Sequence, residues 1–129
     1  MNFERRHFLV GVASLAAFGG SACATLKGRE QMYGLIGKML AAPGKRDALA
    51  AILMEGTDAM PGCLSYIVAA DTDDADALWV TEVWDSEASH KASLSLPAVR
   101  DAISRGMPLI AGFEKGATTT PLGGLGLES

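Results

Sequence analysis

The chain has 129 residues, of which 49% are hydrophobic and 20% are charged, and its formal net charge at pH 7 is −4. This length and composition suit one compact domain of roughly 100 residues better than two domains. The acidic balance argues against nucleic-acid binding, because proteins that bind nucleic acids usually carry a basic surface.

Residues 1–24 have the pattern of an export signal. A paired Arg5-Arg6 precedes an apolar run, and small residues follow it up to Ala24, in the order of the charged, apolar and cleavage regions of such signals. The apolar run is shorter than the roughly 20 residues that a membrane-spanning helix needs. Residues 5–9 resemble the twin-arginine motif, but the residues on either side depart from its preferences, which leaves Sec export as the alternative.

The end of this signal is compatible with two kinds of processing. Cleavage after Ala24 gives a mature protein with one cysteine, Cys63, which is not enough for an internal disulfide. Alternatively, Cys23 is the lipidated residue of a lipoprotein, and only then do we expect membrane attachment. Both routes predict an exported protein, in the periplasm or another extracytoplasmic compartment. Cys63 begins an apolar segment, where a buried, inert thiol is commoner than a nucleophile.

The mature chain is predicted to alternate between strands and helices, with Pro43-Gly44 and Pro61-Gly62 as breaks. The first helix has apolar residues at helical spacing from Leu49 to Met60. The last helix is predicted to bury Val99, Ala102, Ile103, Met107 and Ile110. In chain order, the predicted elements are a strand over 31–41, a helix over 45–59, strands over 63–70 and 77–84, a helix that opens with Glu87, a helix from Pro97 to about Gly106, and a strand over 112–120.

Four aspartates crowd the connection between the second and third predicted strands, at positions 71, 73, 74 and 76. A solvated loop is the simplest interpretation. Calcium binding is the alternative, because oxygen-rich loops bind that ion. The segment lacks the glycine and the closing glutamate of an EF-hand loop, so we do not expect a metal there.

The predicted order β-α-β-β-α-β is typical of the ferredoxin-like α+β fold, an antiparallel sheet with helices on one face. A short polar connection joins the second and third strands, which are expected to pair as an antiparallel hairpin. We assign residues 25–120 to this domain. Residues 121–129 are glycine-rich and are expected to form a flexible C-terminal tail or an arm across a partner.

Apolar side chains alternate onto both faces of the second and third strands. Since the helices cover only one face, a monomer would leave a large apolar patch in water, which monomers avoid. We therefore expect a homodimer that buries the second face. One face is predicted to carry Leu64, Tyr66, Val68, Leu78, Val80 and Trp84, and the other Cys63, Ile67, Trp79 and Val83.

A carboxylate, an indole and an imidazole are expected to meet where the third strand turns into a helix. Glu82 and Trp84 share one face of that strand because side chains alternate along it. Asp85-Ser86 is suited to cap a helix that carries His90. The structural alternative for Trp84 is a place in the core, and for His90 an exposed position beside Lys91. Glu82 has no such simple alternative, because a buried carboxylate has to accept hydrogen bonds or take up a proton. It is therefore either structurally paired or functional.

The run from Glu82 to His90, followed by Ser95-Leu96-Pro97 and a helix, resembles the antibiotic biosynthesis monooxygenase family, with quinol monooxygenase-like members nearest. The resemblance covers roughly residues 31–117, although His90 follows the strand sooner than in many members. It implies a dimeric α+β barrel with an apolar pocket between sheet and helices. It also implies oxidation of a quinol or another phenolic aromatic by O₂, without flavin, haem or metal.

The resemblance implies roles for five side chains. His90 is expected to act as the base or a hydrogen-bond partner, and Glu82 to orient a neighbouring donor. Trp84 and Tyr66 are expected to line the substrate pocket, with ordinary packing as the alternative for both. Arg100 is expected to stabilise an anionic substrate if its helix faces the cavity. No cofactor is expected, since a quinol anion itself donates an electron to oxygen.

Other functions stay open at this point. One fold hosts many activities, so a non-catalytic dimer that binds a small molecule or takes part in a stress response is the main alternative. Isomerase or decarboxylase chemistry and haem binding are also open. Haem degradation is less favoured, because the haem degraders of this superfamily rely on an Asn, Trp and His set, and the chain's one asparagine, Asn2, lies in the export signal.

Overall fold

The computed structural model describes residues 31–127, so the predicted export signal and its two processing routes lie outside the described residues. The described residues form a four-stranded antiparallel sheet and three α-helices, which confirms the ferredoxin-like α+β prediction. None of these helices is long and apolar enough to cross a membrane. The elements are β1 (Tyr33–Ala41), α1 (Arg46–Met54), β2 (Cys63–Ala70), β3 (Ala77–Trp84), α2 (Glu87–Ser93), α3 (Pro97–Gly106) and β4 (Ile110–Thr119), with short 3₁₀ helices at Thr57–Ala59 and Met107–Leu109.

The strands lie in the order β2-β3-β1-β4, and each neighbouring pair is antiparallel. β2 and β3 form the predicted hairpin with the predicted bounds. β1 lies between β3 and β4 despite the glycines that weaken it as a strand. At Gly34 the missing side chain is needed, because a Cβ there would overlap Thr119 Oγ1 of β4. This glycine therefore allows β1 and β4 to approach each other closely.

The helices pack on the face of the sheet that carries Leu78, Val80 and Trp84. Leu49 of α1 is fully buried and clusters with Leu78 of β3 and Ala41 of β1. Burying a leucine side chain contributes about 1.5–3 kcal/mol, so this cluster anchors α1 at one end of the face. Trp84 is 1% exposed and fills the other end.

In both long helices, the apolar pattern of the sequence continues beyond the residue at which the helix ends. α1 stops at Met54 instead of residue 59, because Gly56 adopts a left-handed backbone (φ +66°) that redirects the chain into a 3₁₀ helix. α3 ends at Gly106 as predicted, but two residues expected on its buried stripe lie beyond it. Met107 is exposed in the second 3₁₀ helix, and Ile110 is the first residue of β4.

A β-bulge at Leu64 corrects the predicted faces of β2. Cys63 pairs with Trp84 and Ser65 pairs with Val83, which leaves Leu64 as the extra residue. Cys63 therefore lies on the helix-covered face with Trp84, and the prediction that placed it on the opposite face is wrong. Its partial burial raises the pKa of the Cys63 thiol, which favours the inert thiol.

The acidic connection between β2 and β3 is folded by its own hydrogen bonds. Asp71 accepts hydrogen bonds from the backbone N–H groups of Asp73 and Asp74 at 2.8 and 2.9 Å, and from Trp79 Nε1 at 2.8 Å. The bond from Trp79 and those from the backbone hold the pKa of Asp71 below its ordinary value. Among residues 31–127, no three His, Cys, Asp or Glu side chains are grouped as metal ligands. The Asp71 carboxylate is thus engaged in closing the turn.

The face without helices carries a mixed set of side chains. Ile36 and Ile67 lie on either side of Thr81, and they are 38% and 57% exposed. Trp79 occupies the same face, with Lys38 Nζ 5.9 Å from its ring centroid. The exposed isoleucines belong to the face for which the sequence predicts a partner.

Candidate active site

Glu82 lies in the middle of the helix-covered face of the sheet. Its register partners are Tyr66 on β2 and Leu35 on β1, so a phenol and an aliphatic side chain flank the carboxylate. Removing water from a carboxylate disfavours its charged form, and burial accordingly raises the pKa of Glu82 above its ordinary value. Such a carboxylate is a stronger proton acceptor than one in water.

Trp84 fixes the position of the Glu82 carboxylate. The two residues lie on the same face of β3, and Trp84 Nε1 donates a hydrogen bond to Glu82 Oε1 at 3.1 Å. The indole itself is held by the core, being 1% exposed. This hydrogen bond and the nearby His90 imidazole both oppose the effect of burial on the pKa of Glu82.

His90 reaches this corner from α2. Ser86 caps the helix, because its Oγ accepts a hydrogen bond from the Ser89 backbone N–H at 3.1 Å. The centroid of the His90 ring is 5.4 Å from that of Trp84, with the two rings inclined at 70°, and 5.4 Å from that of Tyr33. The imidazole is therefore packed between two aromatic side chains.

The turn before β2 fits tightly against the start of α2. Gly62 has a left-handed backbone (φ +85°), and a Cβ there would lie only 2.6 Å from Ser89 Cβ and 2.7 Å from Asp85 Oδ1. Its carbonyl accepts a hydrogen bond from the Asp85 N–H at 2.8 Å. Glycine meets both the conformational and the steric demand, and this contact holds α2, with His90, against the sheet.

Two adjoining cavities open on the helix-covered face. The first has a volume of about 520 Å³ and is lined by Glu82, Tyr66, Leu35 and Val80; we call it the carboxylate cavity. The second has a volume of about 280 Å³ and lies between α1, α3 and the start of β4; we call it the apolar cavity. The residues that line both are Met39, Tyr66 and Phe113.

Comparison with known proteins identifies the family. The family model described as antibiotic biosynthesis monooxygenase matches residues 32–105. A crystal structure of a Chloroflexus aurantiacus protein assigned to the same family is 65% identical in sequence with a TM-score of 0.73, and the match covers 75% of this chain and 99% of that one. The chain belongs to the antibiotic biosynthesis monooxygenase family.

More distant solved structures share the fold of this chain. A Caulobacter crescentus protein assigned to the family is 19% identical with a TM-score of 0.66, and the match covers 73% of this chain and 92% of that one. A Pseudomonas aeruginosa protein is 24% identical with a TM-score of 0.62, with 74% and 98% covered. No curated protein matches the chain.

Besides Glu82, the polar side chains that line the carboxylate cavity are Tyr66, Glu114 and Thr118. Burial, and next the charge of Glu82, raise the pKa of Tyr66 well above its ordinary value. The hydroxyl therefore stays protonated at neutral pH and is able to donate a hydrogen bond. A desolvated carboxylate and a phenol donor on one wall can accept the proton of a bound phenolic group and stabilise its oxygen.

The structure places the predicted site residues at different depths. Glu82 and Tyr66 line the carboxylate cavity. Trp84 and His90 come together with Glu82 but line neither cavity. Arg100 is exposed on α3 and also lines neither cavity. His90, which was expected to act as the base, thus lines neither cavity, whereas Glu82 lines the carboxylate cavity.

Three further side chains of the site carry no signal strong enough to predict them from the sequence. Tyr33 lies beside His90 because β1 pairs with β3 and places Tyr33 opposite Trp84. Met39 lies an even number of residues after Tyr33, so alternation along β1 puts the two side chains on the same face. Phe113 owes its position to a register shift in β4, which sequence spacing does not reveal.

Proposed function

We propose that this protein is a cofactor-independent monooxygenase that oxidises a quinol or a related phenolic aromatic with O₂. The observation that carries the proposal is the Glu82 carboxylate, which is desolvated and opens, next to Tyr66, into a mostly aliphatic cavity. Membership of a family described as monooxygenases agrees with this role.

The first step is transfer of the phenolic proton to Glu82. Because burial raises the pKa of Glu82, the carboxylate is a good acceptor, and Tyr66 donates to the oxygen that becomes anionic. The anion then transfers one electron to O₂, and the radical pair combines to form a C–O bond at a free ring carbon. Glu82 returns its proton to the peroxide anion, which gives a hydroperoxide. Loss of water from the hydroperoxide leaves a carbonyl. A hydroquinone and O₂ thus give a hydroxyquinone and water, and all four electrons come from the hydroquinone.

Trp84 and His90 act in this scheme through Glu82. The indole N–H keeps one carboxylate oxygen in place, which leaves the second oxygen to meet the substrate. His90 packs against the indole and favours the charged form of Glu82. We therefore propose both as positioning residues. Arg100 has no part in the scheme, because it lines neither cavity.

Oxygen uptake with menadiol, measured above its autoxidation, tests the proposal. Glu82→Gln keeps the size of the side chain and an acceptor for Trp84 but removes the base, so we expect the rate to fall about 10²–10⁴-fold. Glu87→Gln, at an exposed position on α2, is the matched control and should keep the wild-type rate. His90→Ala should lower the rate less than Glu82→Gln and shift its pH profile.

Labelled oxygen separates monooxygenation from simple oxidation. With ¹⁸O₂, a monooxygenase places one labelled atom on the ring and the other in water. A two-electron oxidase releases labelled hydrogen peroxide and leaves the quinone unlabelled, which would refute the proposed reaction. No enzyme-dependent uptake with a panel of quinols would instead favour the non-catalytic binding alternative.

We also propose that the protein is a homodimer joined through the face without helices. The support is the exposure of Ile36 and Ile67 there, at 38% and 57%, which a second copy would cover. Sedimentation at micromolar concentration should show a dimer, and Ile67→Lys should dissociate it. Thr72→Lys, on the acidic loop, is the control. A wild-type monomer would refute this arrangement.

Export remains a proposal that rests on the pattern of residues 1–24. Expression with and without this segment in a bacterial host, followed by fractionation, tests it, and a cytoplasmic full-length product would contradict it. Mass spectrometry of the exported N-terminus distinguishes cleavage after Ala24 from lipidation at Cys23.

A further inference from the structure

The wall of the apolar cavity carries few polar side chains. Of the polar side chains in its wall, Glu55 is paired with Arg105, and Thr57 Oγ1 donates to the Met54 carbonyl at 3.3 Å. Tyr66 stands at the boundary with the carboxylate cavity. A polar group placed against the aliphatic side chains of α1 and α3 would lose its water without gaining a partner. The cavity is therefore suited to hydrocarbon.

The two cavities share part of their wall. A ring whose hydroxyl meets Glu82 lies beside Tyr66. Tyr66, Met39 and Phe113 line both cavities, so a substituent on that ring is next to the wall of the apolar cavity. We propose that the substrate is a quinol or phenol that carries a flexible hydrocarbon chain, and that this chain binds in the apolar cavity between α1 and α3. The inference rests on the proposed function for the position of the ring.

The lining favours a chain over a second fused ring. The side chains that α1 and α3 contribute to the inner wall are aliphatic, including Leu49, Ile52 and Val99, and the aromatic side chains occur only at the junction with the carboxylate cavity. Flat ring systems gain from stacking on aromatic side chains, which this wall does not provide. A flexible chain needs only apolar contact and adapts to an irregular cavity.

The rim of the apolar cavity explains a group of exposed apolar side chains. Ile103, Met107 and Phe113 line it while remaining 45%, 55% and 69% exposed. Exposed apolar side chains that cluster at the mouth of a cavity are typical of a ligand-binding groove. A chain longer than the cavity would therefore continue along Ile103 and Met107, which line the apolar cavity alone, instead of entering water.

A chain-length series tests the inference without turnover. The probes are 4-alkylphenols from methyl to octyl, with calorimetry under argon as the readout, since binding of these monophenols does not require oxidation. Each methylene that enters the cavity should tighten binding about threefold to fourfold, until the chain fills the cavity and the gain per carbon falls. Affinity that does not depend on chain length, or no binding of any member, would overturn the inference.

Two matched substitutions on α3 locate the chain. Ala102 lines the apolar cavity, whereas Ala98 is exposed on the same helix. In Ala102→Leu, affinity should stop rising at a shorter alkyl chain, and the affinity for 4-methylphenol should not change. Ala98→Leu should change neither property. Thermal unfolding of both variants shows that they are folded. The same loss for 2-anthrol as for 4-octylphenol in Ala102→Leu would assign the cavity to a fused ring and overturn the chain.

The chain-length series and the oxygen-uptake assay test the two proposals independently. If affinity rises with chain length but no quinol drives oxygen uptake, the chain site stands and the monooxygenase proposal falls. If menadiol drives uptake and affinity does not respond to chain length, the monooxygenase proposal stands and the chain site falls.

Discussion

Replacing Trp84 by Phe tests the hydrogen bond on which the proposed site depends. The change removes the N–H that Glu82 Oε1 accepts at 3.1 Å and part of a ring that is 1% exposed. A hydrogen bond to a charged group contributes about 1.5–3 kcal/mol. We take about 1.5 kcal/mol, at the low end of that range, because Glu82 is only partly buried. The lost ring volume adds about 1–2 kcal/mol, for a total near 3 kcal/mol.

A double-mutant cycle separates the hydrogen bond from the lost volume. Unfolding free energies from urea titration are needed for Trp84→Phe, Glu82→Met and the double variant, all at one protein concentration because self-association shifts apparent stability. The volume change is common to both Trp84→Phe steps, so it cancels. The coupling energy should therefore be about 1.5 kcal/mol.

The same variant should change the pH dependence of activity. Loss of the indole donor removes a contact that opposes the effect of burial, so the pKa of Glu82 should rise further. The acid limb of kcat/KM should move to higher pH, because the base is then protonated over a wider range. A coupling energy below about 0.5 kcal/mol, or an unmoved acid limb, would refute the account of Glu82 as a base held by Trp84.

Three further changes test the surrounding structure. Gly62→Ala should lower the free energy of unfolding by about 1–3 kcal/mol more than Gly56→Ala, because both residues have a positive φ but only the Cβ of the former would meet other atoms; equal losses in urea titrations would contradict this. Neither Ca²⁺ nor EDTA should change Tm, because Asp71 already accepts three hydrogen bonds; stabilisation by Ca²⁺ would restore the metal interpretation of the loop. Since burial raises the pKa of Glu82 above 4.5, the folded state holds this proton more tightly than the unfolded chain, and stability falls as pH rises from 4.5 towards the raised value. Glu82→Gln should remove this decrease in stability, so the difference in unfolding free energy between variant and wild type should change with pH. A difference that does not depend on pH would contradict the raised pKa of Glu82.

Local composition determines the central hairpin, and it was predictable to the residue. β2 and β3 are rich in β-branched and aromatic residues and are bounded by Pro61-Gly62, the acidic loop and Asp85. The C-terminal end of α1 was not predictable from periodicity, because Met60 continues the apolar pattern after the helix has stopped at Met54. Periodicity reports which side chains face the core, and the residues after a helix end face it too.

The candidate site was predictable where it depends on one element and unpredictable where it depends on several. Glu82 and Trp84 are two residues apart on one strand, and His90 follows on a capped helix, so their meeting follows from local geometry. Which of them opens to the cavity depends on how deeply each is covered by other elements. Strand register and bulges decide that, as with Cys63 beside Trp84 and Phe113 opposite Met39.

The two tryptophans of the chain differ by an odd number of positions, and this gives the protein a pair of natural optical reporters. Trp84 is buried beside Glu82 and His90, while Trp79 lies under Lys38 on the other side of the sheet. In a Trp79→Phe variant, intrinsic fluorescence comes from the indole next to the proposed ring site alone. In Trp84→Phe it comes from the indole on the side proposed to meet a second copy. Ligand uptake and self-association can therefore be followed as separate emission signals, without any attached dye.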